Sequence, residues 1–93
     1  MRWTWDPKKA KRNLAKHKVS FELAELALDD PFRLSVRDPF PDEERWRTVG
    51  SPSTDGIVVL HVVHTWPESE NEEGRIIGAR RATRKERSAY EEG

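Results

Sequence analysis

Apolar residues in this chain change their spacing several times, and each change marks an element. Trp3 and Trp5 alternate with Arg2 and Thr4, the period of two that suits a short opening strand. Asp6 offers a carboxylate to the free amides of a first turn and Pro7 suits the first helical position, so a helix is expected over residues 7–16. Its apolar stripe is no wider than Ala10, Leu14 and His17, and the rest is mainly Lys, Arg and Asn. Ser20 is a good cap for a second helix over 21–28, where Phe21, Ala24 and Leu28 recur at helical spacing before Asp29, Asp30 and Pro31 end it. Phe32, Leu34 and Val36 then alternate with Arg33, Ser35 and Arg37, predicting a strand buried on one face. A turn over 38–42 leads to a third strand around Glu44–Gly50, and Pro52 with Asp55-Gly56 makes the next turn. Residues 57–65 are nearly all apolar and β-branched, the mark of a central strand covered on both faces. An acidic loop over 67–74, a last strand over Arg75–Arg81 and a capping box of Thr83 and Glu86 before a helix to about Glu91 complete the chain.

The order strand, helix, helix, four strands, helix predicts an α+β fold. Its sheet should be largely antiparallel, because the strand connections after residue 37 are too short for helical crossovers. Residues 1–93 are expected to form a single domain with a thin core, since only 34% of residues are hydrophobic and 37% are charged. So thin a core makes a complex with a partner plausible. There is no cysteine, which excludes disulfides and thiolate metal sites and suits a reducing compartment. The first residues lack the apolar run of a secretory signal or membrane anchor, so a cytoplasmic protein is expected.

A formal net charge of zero hides a strong asymmetry. Residues 1–20 carry Arg2, Lys8, Lys9, Lys11, Arg12, Lys16 and Lys18 against Asp6 alone, and residues 75–87 carry Arg75, Arg80, Arg81, Arg84, Lys85 and Arg87 against Glu86. Acidic residues crowd the stretch between 21 and 44 instead. If the two basic ends meet in space they form one cationic face, suited to a polyanion or an acidic protein. The plain alternative is a scatter of solvated side chains.

Several residues are candidates for chemistry. Arg80 and Arg81 are adjacent at a strand end and so point to opposite faces, which leaves one to lie over the sheet. An arginine fork stays ionised and donates two parallel bonds, which suits a developing phosphate charge. His17 can act as acid or base, or simply cap the first helix. Glu44 can serve as a base and Arg45 as a phosphate ligand, although Glu44 fits a cross-strand ion pair equally well. Tyr90 can donate a proton or stack on a base, or it can anchor the last helix. His61 and His64, three apart on a strand, face opposite ways and make a poor metal pair, and the acidic run at 68–73 lacks the pattern of a calcium loop. No metal and no cofactor are expected.

Trp5-Asp6-Pro7, Lys9, Asn13, Lys16-His17, Val19-Ser20-Phe21-Glu22, Ala24, Asp30, Glu44-Arg45, Gly50, Arg75-Ile-Ile, Arg80-Arg81-Ala-Thr, Glu86-Arg87 and Tyr90 resemble, in the same order, the BrnT toxins of bacterial type II toxin–antitoxin systems. The resemblance implies a RelE-like α+β fold, RNA cleavage that arrests translation, and neutralisation by a BrnA antitoxin with a ribbon-helix-helix domain. Operator DNA would then be bound only through the antitoxin, in a hetero-oligomer. Lys9, Lys16, Arg75 and Arg84 are expected to bind the RNA backbone, with Arg80, Arg81, Arg45, His17, Glu44 and Tyr90 around the reacting phosphate. Without an evident nucleophile or metal, attack by the substrate's own 2′-OH is the economical mechanism. The rival reading is a non-catalytic module that only binds nucleic acid or protein through the same face.

Overall fold

Each helix in this chain begins at a side-chain cap. The computed structural model describes residues 2–67, 69 and 71–93. Strand β1 (Arg2–Thr4) leads into helix α1 (Pro7–His17), where Asp6 Oδ1 accepts from Lys8 N at 2.9 Å. The chain leaves α1 through Lys18 in the left-handed region, φ 60°, and enters α2 (Phe21–Leu28), where Ser20 Oγ accepts from Leu23 N at 3.1 Å. Four strands follow, β2 (Leu34–Asp38), β3 (Arg45–Gly50), β4 (Leu60–His64) and β5 (Glu73–Arg81), and then α3 (Arg84–Glu92) behind a complete Thr83–Glu86 capping box. The fold is α+β, in the element order expected.

The strands form one sheet in the order β1-β5-β4-β3-β2, antiparallel except for the edge pair of β1 with β5. On one face Leu60 and Val62 of β4 lie beside Ile76 and Ala79 of β5, and Phe21, Ala24, Ala27 and Leu28 of α2 close over them to form the core. Helix α2 comes so near β3 that a Cβ on Gly50 would lie 2.5 Å from the Ala27 carbonyl oxygen. That close approach explains a glycine in a strand that is otherwise bulky. Successive residues alternate faces, so His61 and Val63 of β4, Arg47 and Val49 of β3 and Gly78 and Arg80 of β5 share the second face. Helix α3 covers part of it, beside Leu34, Val49 and His61.

Helix α1 lies along β5 beyond the short reach of β1. Asn13 Nδ2 donates to Ala79 O at 2.8 Å and Asn13 Oδ1 accepts from Ala79 N at 3.2 Å. The side-chain amide thus pairs with the strand edge as a neighbouring strand would. No residue of α1 is fully buried, and Leu14, read as part of its apolar stripe, is 48% exposed.

Three expectations need correction. The central strand begins at Leu60 rather than Ile57, because the backbone of Ile57 is bonded outside the sheet and Val59 adds only its carbonyl to the ladder. Ile57 N donates to Asp55 Oδ1, Ile57 O accepts from Arg87 and Val59 O accepts from Ala82 N. Phe32 precedes β2 and is 75% exposed, since its amide is drawn into a turn by Asp30 Oδ1 at 2.9 Å. Of the acidic loop expected over 67–74, Glu73 and Gly74 open β5, while Glu68 and Glu70 lie outside the described residues.

Candidate active site

The register of β4 on β5 sets His61 opposite Arg80 on the second sheet face. Glu86, one turn into α3, reaches both. Its carboxylate takes Arg80 Nη1 at 2.8 Å and Nη2 at 3.0 Å, a two-bond clamp, and its Oε2 stands 3.6 Å from His61 Nε2. The same carboxylate accepts from Thr83 N at 2.8 Å, so the cap of α3 and the hold on Arg80 are one group. The bonds from Arg80 keep the Glu86 carboxyl ionised, with a pKa of about 2. Burial pushes the His61 imidazole below its ordinary pKa; the charge of Arg80 adds to this, Glu86 opposes it and Arg47 adds again. His61 is therefore neutral at pH 7, a state able to accept a proton.

Helix α1 completes the site. His17, one turn beyond Asn13, lines a cleft of about 160 Å³ with His61, Val63, Gly78 and Arg80. A Cβ on Gly78 would meet only Asn13 Oδ1, at 3.9 Å, so the floor of this cleft is open. Beside it, Lys9, Arg12, Lys16 and His17 border a shallower depression over Ile77. The two basic chain ends thus meet along α1 and β5.

The face continues down β3 to a second cluster. Arg47 Nε is 3.4 Å from Asp38 Oδ2, an ion pair without an aligned hydrogen bond. Arg45 lies 3.8 Å over the Phe40 ring and donates from Nε to Glu43 Oε1 at 2.8 Å, which also accepts from Arg75 Nη2 at 2.6 Å. Arg45 precedes Val49, which pairs with His61, by four residues, or about 13 Å of strand. Arg45 and Arg75 are therefore at the opposite end of the face from Arg80.

The remaining candidates divide plainly. Arg81 is exposed and aligns with Leu60 at the margin of the core face, away from Arg80. Glu44 is exposed, and its neighbour Glu43 makes the ion pairs at that end. Arg84 is exposed in the first turn of α3. Tyr90 donates its hydroxyl to Asp30 Oδ2 in a short hydrogen bond, beside Ser51 N at 2.8 Å on the same oxygen. Burial, with the Asp30 carboxylate beside it, lifts the Tyr90 phenol to about 12. Its ring lines a separate pocket with Leu26, Phe32 and Pro52. Residues the sequence reading passed over are His61, weighed only as a metal ligand, and Glu86, read only as a cap. The one available signal for His61 was a histidine directly opposite Arg80 on the neighbouring strand, visible only once the β4–β5 register is known.

His61 and His64 do face opposite ways. His64 is fully buried, with Nε2 2.6 Å from Thr48 Oγ1 and Nδ1 2.8 Å from Thr65 O. Among the described residues no group of three His, Asp or Glu side chains could hold a metal ion, and no helix is long and apolar enough to cross a membrane.

The fold and this cleft define a class: small α+β proteins that present one open face of a largely antiparallel sheet bordered by a basic helix. Within that class the chain matches, over residues 5–86, the family model of BrnT, the ribonuclease toxin of type II toxin–antitoxin systems. It belongs to the BrnT family of ribonuclease toxins, and membership of a type II system brings an antitoxin partner. The crystal structure of the Brucella abortus ribonuclease toxin BrnT has a similar fold, with a TM-score of 0.62 over 90% of this chain and 99% of that chain at 24% identity. No curated protein matches the chain.

Proposed function

We propose that this protein cleaves single-stranded RNA without a metal ion, by attack of the substrate's own 2′-OH on the adjacent phosphorus. His61 takes the 2′-OH proton as the 2′-oxygen bonds to phosphorus, and His17 gives a proton to the 5′-oxygen as that bond breaks. The products are a 2′,3′-cyclic phosphate and a free 5′-hydroxyl. Arg80 stabilises the charge that builds on the phosphoryl oxygens; its Nε has no partner among the described residues and remains available to the substrate. Lys9 and Lys16, with Arg12, attract the strand along α1, and Arg45 and Arg75 engage it farther down the face.

The observation that carries this reading is the cleft shared by His17, His61 and Arg80, two imidazoles and a guanidinium on one open face. Two imidazoles can split the acid and base roles, which a binding face does not need. Glu44 and Tyr90 are left out of the reaction, the first because it is exposed just before β3, at the end away from His61, and the second because its hydroxyl is bonded to Asp30. We further propose that the protein acts in the cytoplasm. There its antitoxin is a BrnA-like ribbon-helix-helix protein that covers the basic surface of α1 and β5 and alone contacts operator DNA.

The test is cleavage of a defined RNA oligonucleotide by purified protein. Cleavage is expected to persist in EDTA, to leave cyclic phosphate ends and to stop when the nucleotide at the cut is 2′-deoxy. His61→Ala and His17→Ala should each lower the rate by about 10²–10⁴. A strict need for a divalent ion, or equal cleavage of the deoxy substrate, overturns the mechanism. Binding of RNA without any cleavage would favour a binding module instead.

A further inference from the structure

We infer that Glu86 is the positioning residue of this site, holding Arg80 and His61 in one fixed arrangement and tying that arrangement to the docking of α3. This rests on the assignment of His61 and Arg80 to the reaction.

Glu86 does more than a capping residue requires. In a capping box the N3 carboxylate needs only the amide of the cap residue, here Thr83 N at 2.8 Å. Yet both oxygens of Glu86 are also used by Arg80, in the parallel geometry that fixes a guanidinium plane as well as its position. Arg80 Nη1 donates further to the Arg81 carbonyl at 3.1 Å, so the fork is held on two sides and its Nε edge is the part left over. Oε2 meanwhile stands 3.6 Å from His61 Nε2, and the Glu86 side chain is only 25% exposed. A carboxylate in that position favours the protonated form of the ring. When His61 takes the 2′-OH proton, the new positive charge forms next to Glu86 and is stabilised there. The charged and titratable groups around His61 are Arg80 from β5, Arg47 from β3, Glu86 from α3 and His17 from the α1 side of the cleft. Glu86 is the one anion among them.

The substitution that separates this role from capping is Glu86→Gln, because glutamine also completes a capping box. It is expected to keep the melting temperature near that of the parent while kcat/KM falls about tenfold or more, as one charged contact is lost. The acid limb of the kcat/KM profile should move to lower pH, since removing the anion makes protonated His61 less favourable. Thr83→Ala is the opposite control. It weakens the cap and should lower the melting temperature while leaving the profile in place. The His61 ring is also titrated by NMR in the parent and in Glu86→Gln, a reading independent of cleavage. A lowered His61 pKa together with the shifted limb supports the proposal. An unchanged His61 titration, or a loss of activity in Glu86→Gln that only parallels that in Thr83→Ala, overturns it. If the parent titrates as described but cleaves no RNA, the ribonuclease mechanism fails while the Glu86–His61 coupling stands as measured.

Discussion

Asn13 and Ala79, sixty-six residues apart, are joined by two hydrogen bonds that dock helix α1 on the edge of β5. A third, from Asn13 Nδ2 to Val19 O at 3.0 Å, ties in the chain that leaves the helix. Since α1 buries no residue completely, this amide rather than an apolar stripe sets where the helix lies. His17 follows one turn later, so its position in the cleft depends on Asn13.

Asn13→Ala is therefore expected to cost about 1–3 kcal/mol, the range for leaving buried backbone groups without partners. Cleavage should fall further than stability accounts for, because α1 can shift and carry His17 with it. Urea unfolding and RNA cleavage, measured where the variant is fully folded, check both. Asn13→Asp keeps the acceptor for Ala79 N but sets a carboxylate oxygen against the Ala79 and Val19 carbonyls, and should cost at least as much as the alanine variant. Equal activity per folded molecule in all three would show that α1 is placed by something else.

The pairing of Tyr90 with Asp30 predicts a structural role for both. Burial alone would raise the Asp30 carboxyl, but bonds from Tyr90, Ser51 N and Phe32 N, aided by Arg33, hold it below its ordinary value. Such a group contributes stability above its unfolded pKa, and that contribution is lost as pH falls through the lower folded value. Tyr90 is the reverse case: its contribution is complete below the ordinary phenol value and fades as pH rises through about 12. Tyr90→Phe should cost about 1–2 kcal/mol at pH 7 and leave kcat unchanged in the folded enzyme. A large fall in kcat with normal stability would return Tyr90 to the reaction.

The helices were legible because their starts are written locally, in Asp6-Pro7, in Ser20 and in Thr83 with Glu86 three residues on. Strand existence was legible from alternation, but its limits were not. Ile57 has strand composition and still leaves the ladder, since Asp55 claims its amide and Arg87 its carbonyl group. The site was half legible for the same reason. Alternation shows that Arg80 and Arg81 part company, but which one faces His61 depends on a β4–β5 register that a long connection leaves open and a bulge at Val63/His64 shifts. Resemblance grouped Arg45 with Arg80, whereas the strand length between their positions keeps them at opposite ends of the face. Glu86 was hidden because a complete local explanation, the capping box, was already available for it.

His64 carries a second pH dependence. Burial pushes its imidazole below its ordinary pKa, a bond with the Thr65 carbonyl partly opposes this, and Arg33 adds to the lowering. Unfolded chains bind the proton more readily, so stability should decline as pH falls below roughly 6.5, before most carboxylates begin to titrate. His61 is lowered too and contributes in the same window. Denaturant unfolding at several pH values should show this slope in the parent, a smaller one in His61→Gln and in His64→Gln, and the least in the double variant. An unchanged slope in the double variant would assign the window to other groups.

Family resemblance set Arg80, Arg81 and Arg45 together around the reacting phosphate, and the fold predicts three different outcomes for them. Arg80 is fixed by two bonds to Glu86 and shares a cleft with both imidazoles, so Arg80→Ala should lower kcat by about 10²–10³ without unfolding the protein. Arg80→Lys should recover little, because an ammonium cannot make the parallel pair that holds the fork in place. Arg81 aligns with Leu60 on the other side of the sheet, and Arg81→Ala should change kcat no more than a few-fold. Arg45 stacks on Phe40 beyond Arg47, well away from the imidazoles. Arg45→Ala should raise KM for a long RNA and leave the rate on a dinucleotide unchanged, since a dinucleotide is too short to reach it. Steady-state kinetics on the two substrates, with circular dichroism to confirm folding, separates the three. If Arg45→Ala slows the dinucleotide as strongly as Arg80→Ala does, the reacting phosphate lies farther down the face than the cleft of His17 and His61.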